Sequence, residues 1–235
     1  MKNRWIKFIA ITLITCLINI LWNHPITILA QASHNPESIP SQTLAASSLP
    51  YDARLVDIRS VNSNIRLDIR YATTNNFLKR KLYPVARCVL RGAAARRLGK
   101  VQEDLQKRGL GLKVYDCYRP LSVQRLMWQI RPDSRYVANP ARGSRHNRGA
   151  AVDITLVDRN GRELEMPTGF DDFSQRAHRN YTGGSAQSRR NSKTLEDAMK
   201  KQGFIPLATE WWHFDAPGWD NFGILDVKFG EIPQS

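Results

Sequence analysis

Ser144-Arg145-His146-Asn147-Arg148-Gly149-Ala150-Ala151-Val152-Asp153-Ile154-Thr155-Leu156-Val157 passes from loop to strand and carries chemistry where it does so. Gly149 permits a backbone conformation that other residues resist. From Ala151 to Val157, Val152, Ile154 and Leu156 alternate with Asp153 and Thr155, which is the period of a β-strand. An aspartate in the middle of such a β-branched run costs free energy unless something satisfies it. A metal ion would do so, as would backbone N–H groups or an arginine. His146 stands seven residues before Asp153, in the loop. Imidazole nitrogen and carboxylate oxygen both suit zinc, and a catalytic zinc takes three protein ligands and keeps one position open. Two of the three fall in this stretch.

Working outward, Glu210-Trp211-Trp212-His213-Phe214 offers the third ligand in His213 and a base in Glu210. The spacing is not that of the helical metalloprotease motif, and the aromatic residues favour a strand. In a regular strand positions 210 and 213 face opposite ways, so the chain must bend or bulge if both serve one site. Trp211 and Trp212 read as core packing for at least one of the two, with the wall of a small pocket as the other role. Upstream, Leu112 to Tyr118 is strand-like, and Pro120 suits the first position of a helix from Pro120 to Ile130. Arg119 stands at that junction, a candidate to stabilise negative charge. His178, between Arg176 and Arg179, reads as a solvated histidine rather than a ligand. Together, His146, Asp153 and His213 with Glu210 and Arg119 describe a zinc hydrolase, with Glu210 as general base for an activated water and Arg119 facing the oxyanion.

The rest of the chain reads as a mixture of strands and helices. Strands are expected over Leu55–Arg59, Ile65–Tyr71 and Phe204–Leu207, with an edge strand over Ile224–Phe229. Apolar residues at three- and four-residue steps predict a helix over Arg87–Arg108, ended by Gly109, and a shorter one over Thr194–Gln202. Asn75–Pro84 and Arg131–Gly143 read as loops.

The 235 residues suffice for one sizeable domain with a proper core. Residues 1–32 have the layout of a secretory signal peptide: Lys2, Arg4 and Lys7, an apolar run from Phe8 to Trp22, and a small-residue site at Ala30-Gln31-Ala32. An uncleaved anchor is the alternative; Cys16 lies inside the apolar run, which argues against lipid attachment. Residues 33–50, rich in Ser and Pro, read as a flexible linker, and 51–235 as the catalytic domain. The net charge is +14, and removing residues 1–32 takes away three cations and no acid. The basic residues are scattered, with no nucleic-acid motif and no row of exposed aromatics, so nucleic acid is not an expected partner. An anionic cell-wall polymer is, and the protein is expected to be exported, periplasmic or secreted, with no membrane span once the signal is cut. Cys88 and Cys117 either pair or remain two buried thiols.

Ser-x-His-x-x-Gly-x-x-x-Asp at 144–153, Glu-Trp-Trp-His at 210–213 and Asp-x-Tyr-Arg-Pro at 116–120 together resemble the D-alanyl-D-alanine dipeptidase family, zinc peptidases related to bacterial D,D-carboxypeptidases. The likeness runs from about Leu55 to Val227. It implies a compact α+β fold with a central antiparallel sheet flanked by helices. It implies cleavage of the free dipeptide D-Ala-D-Ala, one Zn2+ on His146, Asp153 and His213, Glu210 as base and Arg119 as transition-state stabiliser. It further implies that Ser144 and Asp171 hold the substrate's charged ends. The sequence departs from the family at Asn76-Phe77-Leu78-Lys79, where relatives often carry a glycine in the place of Lys79.

Two rival readings remain. One is a carboxypeptidase or endopeptidase trimming peptidoglycan stem peptides in an open groove with the same zinc chemistry. The other is a non-catalytic wall-binding protein with a structural zinc, against which three good ligands and an intact base both speak.

Overall fold

The computed structural model describes residues 49–234; the expected signal peptide and all but the last two residues of the expected linker lie outside the described residues. Its centre is a five-stranded sheet in the order β2-β4-β5-β7-β6, formed by Arg66–Leu67 (β2), Leu110–Asp116 (β4), Ala151–Asp158 (β5), Ile205–Pro206 (β6) and His213–Asp215 (β7). Leu55–Asp57 (β1) and Val89–Arg91 (β3) make a separate antiparallel pair. The central sheet is antiparallel from β4 to β6, as expected, but β2 joins β4 in parallel, so the sheet is mixed.

Helices cover the sheet. Gly92–Gln106 (α2, after the single turn α1 at Ile58–Val61) buries Ala94, Ala95, Leu98, Val101 and Leu105. Its Gln102 side chain accepts a hydrogen bond from Leu112 N at 2.7 Å, which joins helix to sheet. Leu121–Ile130 (α3) follows β4 directly, and Ala186–Lys201 (α4) precedes β6. β5 is buried from Ala151 through Val157, its polar face included. Asp153 is therefore a carboxylate in the interior and needs a partner.

Several expectations shift. The helix expected from Arg87 starts at Gly92, because Val89–Arg91 pairs with β1 before the chain turns. Pro120 is the residue before α3, not its first. Helix α4 starts at Ala186, eight residues before the expected Thr194, capped by Ser185, whose hydroxyl accepts from Ser188 N. Its first turns are Gln, Ser, Arg and Asn, too polar to show a periodic apolar face. Ile65–Tyr71 keeps only two residues as strand and then enters a 3-10 turn at Arg70–Ala72. No strand forms over Ile224–Phe229; that segment ends in a 3-10 turn at Phe229–Glu231. Its backbone is used elsewhere, Leu225 donating to Asn147 O and accepting from Leu121 N.

Cys88 and Cys117 are joined by a disulfide with their Cα atoms 5.2 Å apart, which decides between the two sequence alternatives. Closing a loop of this length stabilises a fold by about 3.5 kcal/mol in the chain-entropy account. The bridge ties the residue before β3 to the residue after β4.

Candidate active site

Strand register builds half of the site. β5 and β7 pair antiparallel with Asp153 directly opposite His213. Opposed residues share a face with Cβ atoms about 5 Å apart, and His213 Nδ1 lies 2.9 Å from Asp153 Oδ1. His146 arrives from a 3-10 turn at Arg145–Arg148. Ser144 Oγ accepts from His146 N at 3.2 Å, Asn147 Oδ1 accepts from Ser144 N at 2.6 Å, and Gly149 ends the turn at φ +68°. Two further bonds fasten the turn to the end of β4: Arg119 N to His146 O at 3.1 Å and Asn147 Nδ2 to Arg119 O at 2.8 Å. His146 Nε2 then sits 3.3 Å from Asp153 Oδ2 and 3.2 Å from His213 Nδ1. All three side chains are buried, and one donor atom of each lies within 4.8 Å of the others.

The outer contacts of the two rings decide which nitrogens are free. His146 Nδ1 is 2.7 Å from the Cys117 carbonyl, which can only accept, so Nδ1 carries the hydrogen. His213 Nε2 faces Asp215 Oδ1 at 3.0 Å and is assigned its hydrogen by the same argument. In the neutral rings the remaining lone pairs, on His146 Nε2 and His213 Nδ1, face each other and the Asp153 carboxylate. That arrangement is repulsive without a cation. Burial opposes a charge on His213, yet the hydrogen bonds to Asp153 and Asp215 push it up to about 10, so the cluster draws positive charge. A ring held by a carbonyl or carboxylate on its outer nitrogen is how metal-binding histidines are oriented. The residues therefore fit a metal ion.

Glu210 sits in the turn between β6 and β7. Glu210 N donates to Leu207 O and His213 N donates to Glu210 O, both at 3.4 Å. This is the bend that the sequence demands: with the strand starting only at His213, Glu210 and His213 face one cavity, Glu210 Oε2 lying 3.9 Å from His213 Nδ1. Burial raises the Glu210 carboxyl above its ordinary value. The two tryptophans divide as expected. Trp211 packs in the core with its Nε1–H on Thr168 Oγ1 at 2.8 Å, and Trp212 lines the cavity.

Arg119 is held on the cavity wall by Asp116. Its Nη2 and Nε reach Asp116 Oδ2 at 2.6 and 3.2 Å, and Nη1 reaches Gln124 Oε1 at 2.9 Å. Burial works against its charge, but Asp116 more than offsets this. The other Asp116 oxygen accepts from Tyr83 OH at 2.7 Å and Cys117 N at 2.9 Å. Asp116 was read in the sequence only as part of the motif at 116–120, with no role of its own, for a reason visible in the register. Val114 pairs with Ile154, but Asp116 pairs with Asp153, so Tyr115 is an extra residue, a β-bulge. Plain alternation from Leu112 and Val114 assigns Asp116 to the opposite face. Asp215 was missed likewise; it bonds His213 and also lies 3.3 Å from Arg145 Nε.

The cavity holds about 480 Å³. Glu210, Asp153 and Asp171 line it together with an arginine-rich wall of Arg142, Arg145 and Arg148 and with Ser144. Asp171 has φ +62° and receives the Tyr71 hydroxyl at 3.1 and 3.3 Å. Burial, then the Asp153 charge, push its carboxyl up to about 8. Phe77 from the loop after Tyr71 meets Phe173 at 5.2 Å between centroids, and Phe173 meets Tyr136 at 4.9 Å, a row of aromatic edges along the lining. Lys79 adopts φ +55°, the left-handed conformation a glycine takes freely. The buried Asn76 side chain fixes that loop through Arg70 O, Thr73 O and Arg80 O. His178 stands outside the group of ligands.

The peptidase M15 family, described as D-ala-D-ala dipeptidase, matches residues 51–233. A D-alanyl-D-alanine dipeptidase of Escherichia coli (strain K12) is 35% identical over 74% of this chain and 91% of its own length. One of Enterococcus faecium is 31% identical over 70% of this chain and 93% of its own, and one of Streptomyces coelicolor is 32% identical over 65% and 86%.

Proposed function

The chain belongs to the peptidase M15 D-Ala-D-Ala dipeptidase family, and from that premise we propose that it hydrolyses D-alanyl-D-alanine to free D-alanine with one zinc ion held by His146, Asp153 and His213. The observation that carries the metal reading is the convergence of His146 Nε2 and His213 Nδ1 on a buried carboxylate, with the other nitrogen of each ring held by an acceptor. When bound, zinc supplies Lewis acidity toward the scissile carbonyl and water. Glu210 takes the proton from the attacking water and delivers it to the leaving amine; burial raises its carboxyl toward the range where it does both. Arg119, kept cationic and immobile by Asp116 and Gln124, faces the developing oxyanion. Asp171 takes the substrate's amino end, the ammonium drawing its raised carboxyl back to the charged form, and Ser144, beside Arg142, Arg145 and Arg148, takes the carboxylate end. Ser144 does this while capping the turn that carries His146.

A cavity of about 480 Å³ bordered by a row of aromatic rings supports a small zwitterion over an extended stem peptide. The signal-like N-terminus and the Cys88–Cys117 bridge support export to an oxidising compartment. There the basic surface meets anionic wall polymer. No helix among the described residues is long and apolar enough to cross a membrane.

The test is a substrate panel of D-Ala-D-Ala, its N-acylated form and a stem pentapeptide, with chelator and with zinc restored. Turnover of the free dipeptide alone, lost with chelator and recovered with zinc, is expected. Release of D-alanine from the pentapeptide with the dipeptide left intact would replace this reading by the carboxypeptidase one.

A further inference from the structure

Glu210 rests on a turn, and nothing in the sequence of that turn explains why it holds one shape. The support comes from Arg179, which follows the 3-10 turn Gln175–Ala177. Its Nε donates to Leu207 O at 2.8 Å and its Nη2 to His213 O at 2.8 Å, the carbonyls at the two feet of the turn. Its backbone N donates to Ala208 O at 2.9 Å, and two residues earlier Ala177 O accepts from Trp211 N at 3.0 Å. The guanidinium lies 4.3 Å over the Phe214 ring, and its Nη1 meets Glu196 Oε2 of α4 at 3.3 Å. The side chain is only 10% exposed. A planar fork with five donors suits two carbonyls and a carboxylate at once; an ammonium does not. His213 has independent anchors in the β5–β7 pairing and Asp215, whereas among the described residues the hydrogen bonds of Glu210 are those of its backbone within the turn.

We propose that Arg179 is a positioning residue for Glu210: by clamping Leu207, Ala208 and His213 it fixes where the Glu210 carboxylate stands in the cavity. The proposal rests on the reading of Glu210 as the base. It predicts a loss confined to turnover. Arg179→Met, which keeps the packing on Phe214, should lower kcat by roughly 10- to 100-fold, the scale of a 1 Å misplacement. KM for D-Ala-D-Ala and zinc per chain should stay within about twofold, because the ligands and the ends of the cavity are held by other contacts. Arg179→Lys, able to reach one carbonyl, should recover part of kcat. In a Glu210→Gln background Arg179→Met should add almost nothing, since both act through one group. Backbone amide exchange gives a readout free of activity: residues 207–213 should exchange faster in Arg179→Met while β5 keeps its wild-type rates. Unchanged exchange over 207–213, or a full multiplicative loss in the Glu210→Gln background, would overturn the proposal. If Arg179→Met does not fold, the lysine variant is read by the same exchange and kcat criteria. Wild-type protein inert toward D-Ala-D-Ala would sink the assigned activity, and the exchange result would still decide whether Arg179 fixes the turn.

Discussion

Asp153 and His213 sit on paired strands; His146 and Glu210 sit on turns. The strand pair needs little beyond its register, because Asp153 opposite His213 already brings the two side chains together. The turn-borne pair needs dedicated fastenings: Ser144, Asn147 and the bonds to Arg119 for His146, and Arg179 for Glu210. The sheet therefore supplies most of the rigidity of the His146, Asp153 and His213 group, and the turn places Glu210, the proposed base, on the cavity lining. Under the proposed function, such a division lets the base be tuned without disturbing the ligands.

Breaking the strand half should cost most. Asp153→Ala is expected to abolish both zinc retention and turnover, with a loss of metal affinity well beyond the roughly 10- to 100-fold that outer partners cost. Zinc per chain after dialysis checks this, and full occupancy would mean that the strand pair is not the anchor. Next comes the turn half. Glu210→Gln should cut kcat by about 10²- to 10⁴-fold at unchanged zinc content; a variant that loses zinc as well would erase the distinction between the two halves. A smaller effect is expected from the outer contact of the strand pair. Asp215→Ala should weaken zinc binding by roughly 10- to 100-fold, measured by chelator competition. The smallest change lies in the loop that contributes Phe77. Lys79→Gly relieves a left-handed residue and should raise unfolding stability by up to about 1 kcal/mol, the gain being trimmed by glycine's entropy. Urea unfolding reads it, and a destabilised variant would mean that Lys79 makes a contact worth more than its backbone cost.

The same contrast explains what the sequence revealed. Asp153 was legible because β5 alternates regularly over Ala151–Val157 and a lone carboxylate breaks the pattern. Gly149 marked the end of the His146 turn, and its left-handed φ agrees. The bend before His213 followed from the parity of positions 210 and 213. What stayed hidden depends on contacts distant in sequence. Arg179 looked like one of several scattered cations, and only the folded chain brings it to Leu207 and His213. Helix α4 escaped at its start because its first turns carry no apolar face, and Ile224–Phe229 misled because its alternation serves packing rather than pairing. The parallel edge β2 is two residues long, too short for any periodic signal.

Asp116 shows what the bulge means for anyone transplanting this centre into another scaffold. The row Asp116, Asp153, His213 crosses three strands, and copying the segment Leu112–Asp116 as a regular strand would not reproduce it. If Tyr115 took an ordinary paired place in the ladder, alternation would carry an aspartate two positions after Val114 to the other face, away from the arginine it holds. The portable unit is thus a count of residues as much as a choice of them: a graft would have to bring the irregularity along with the side chains.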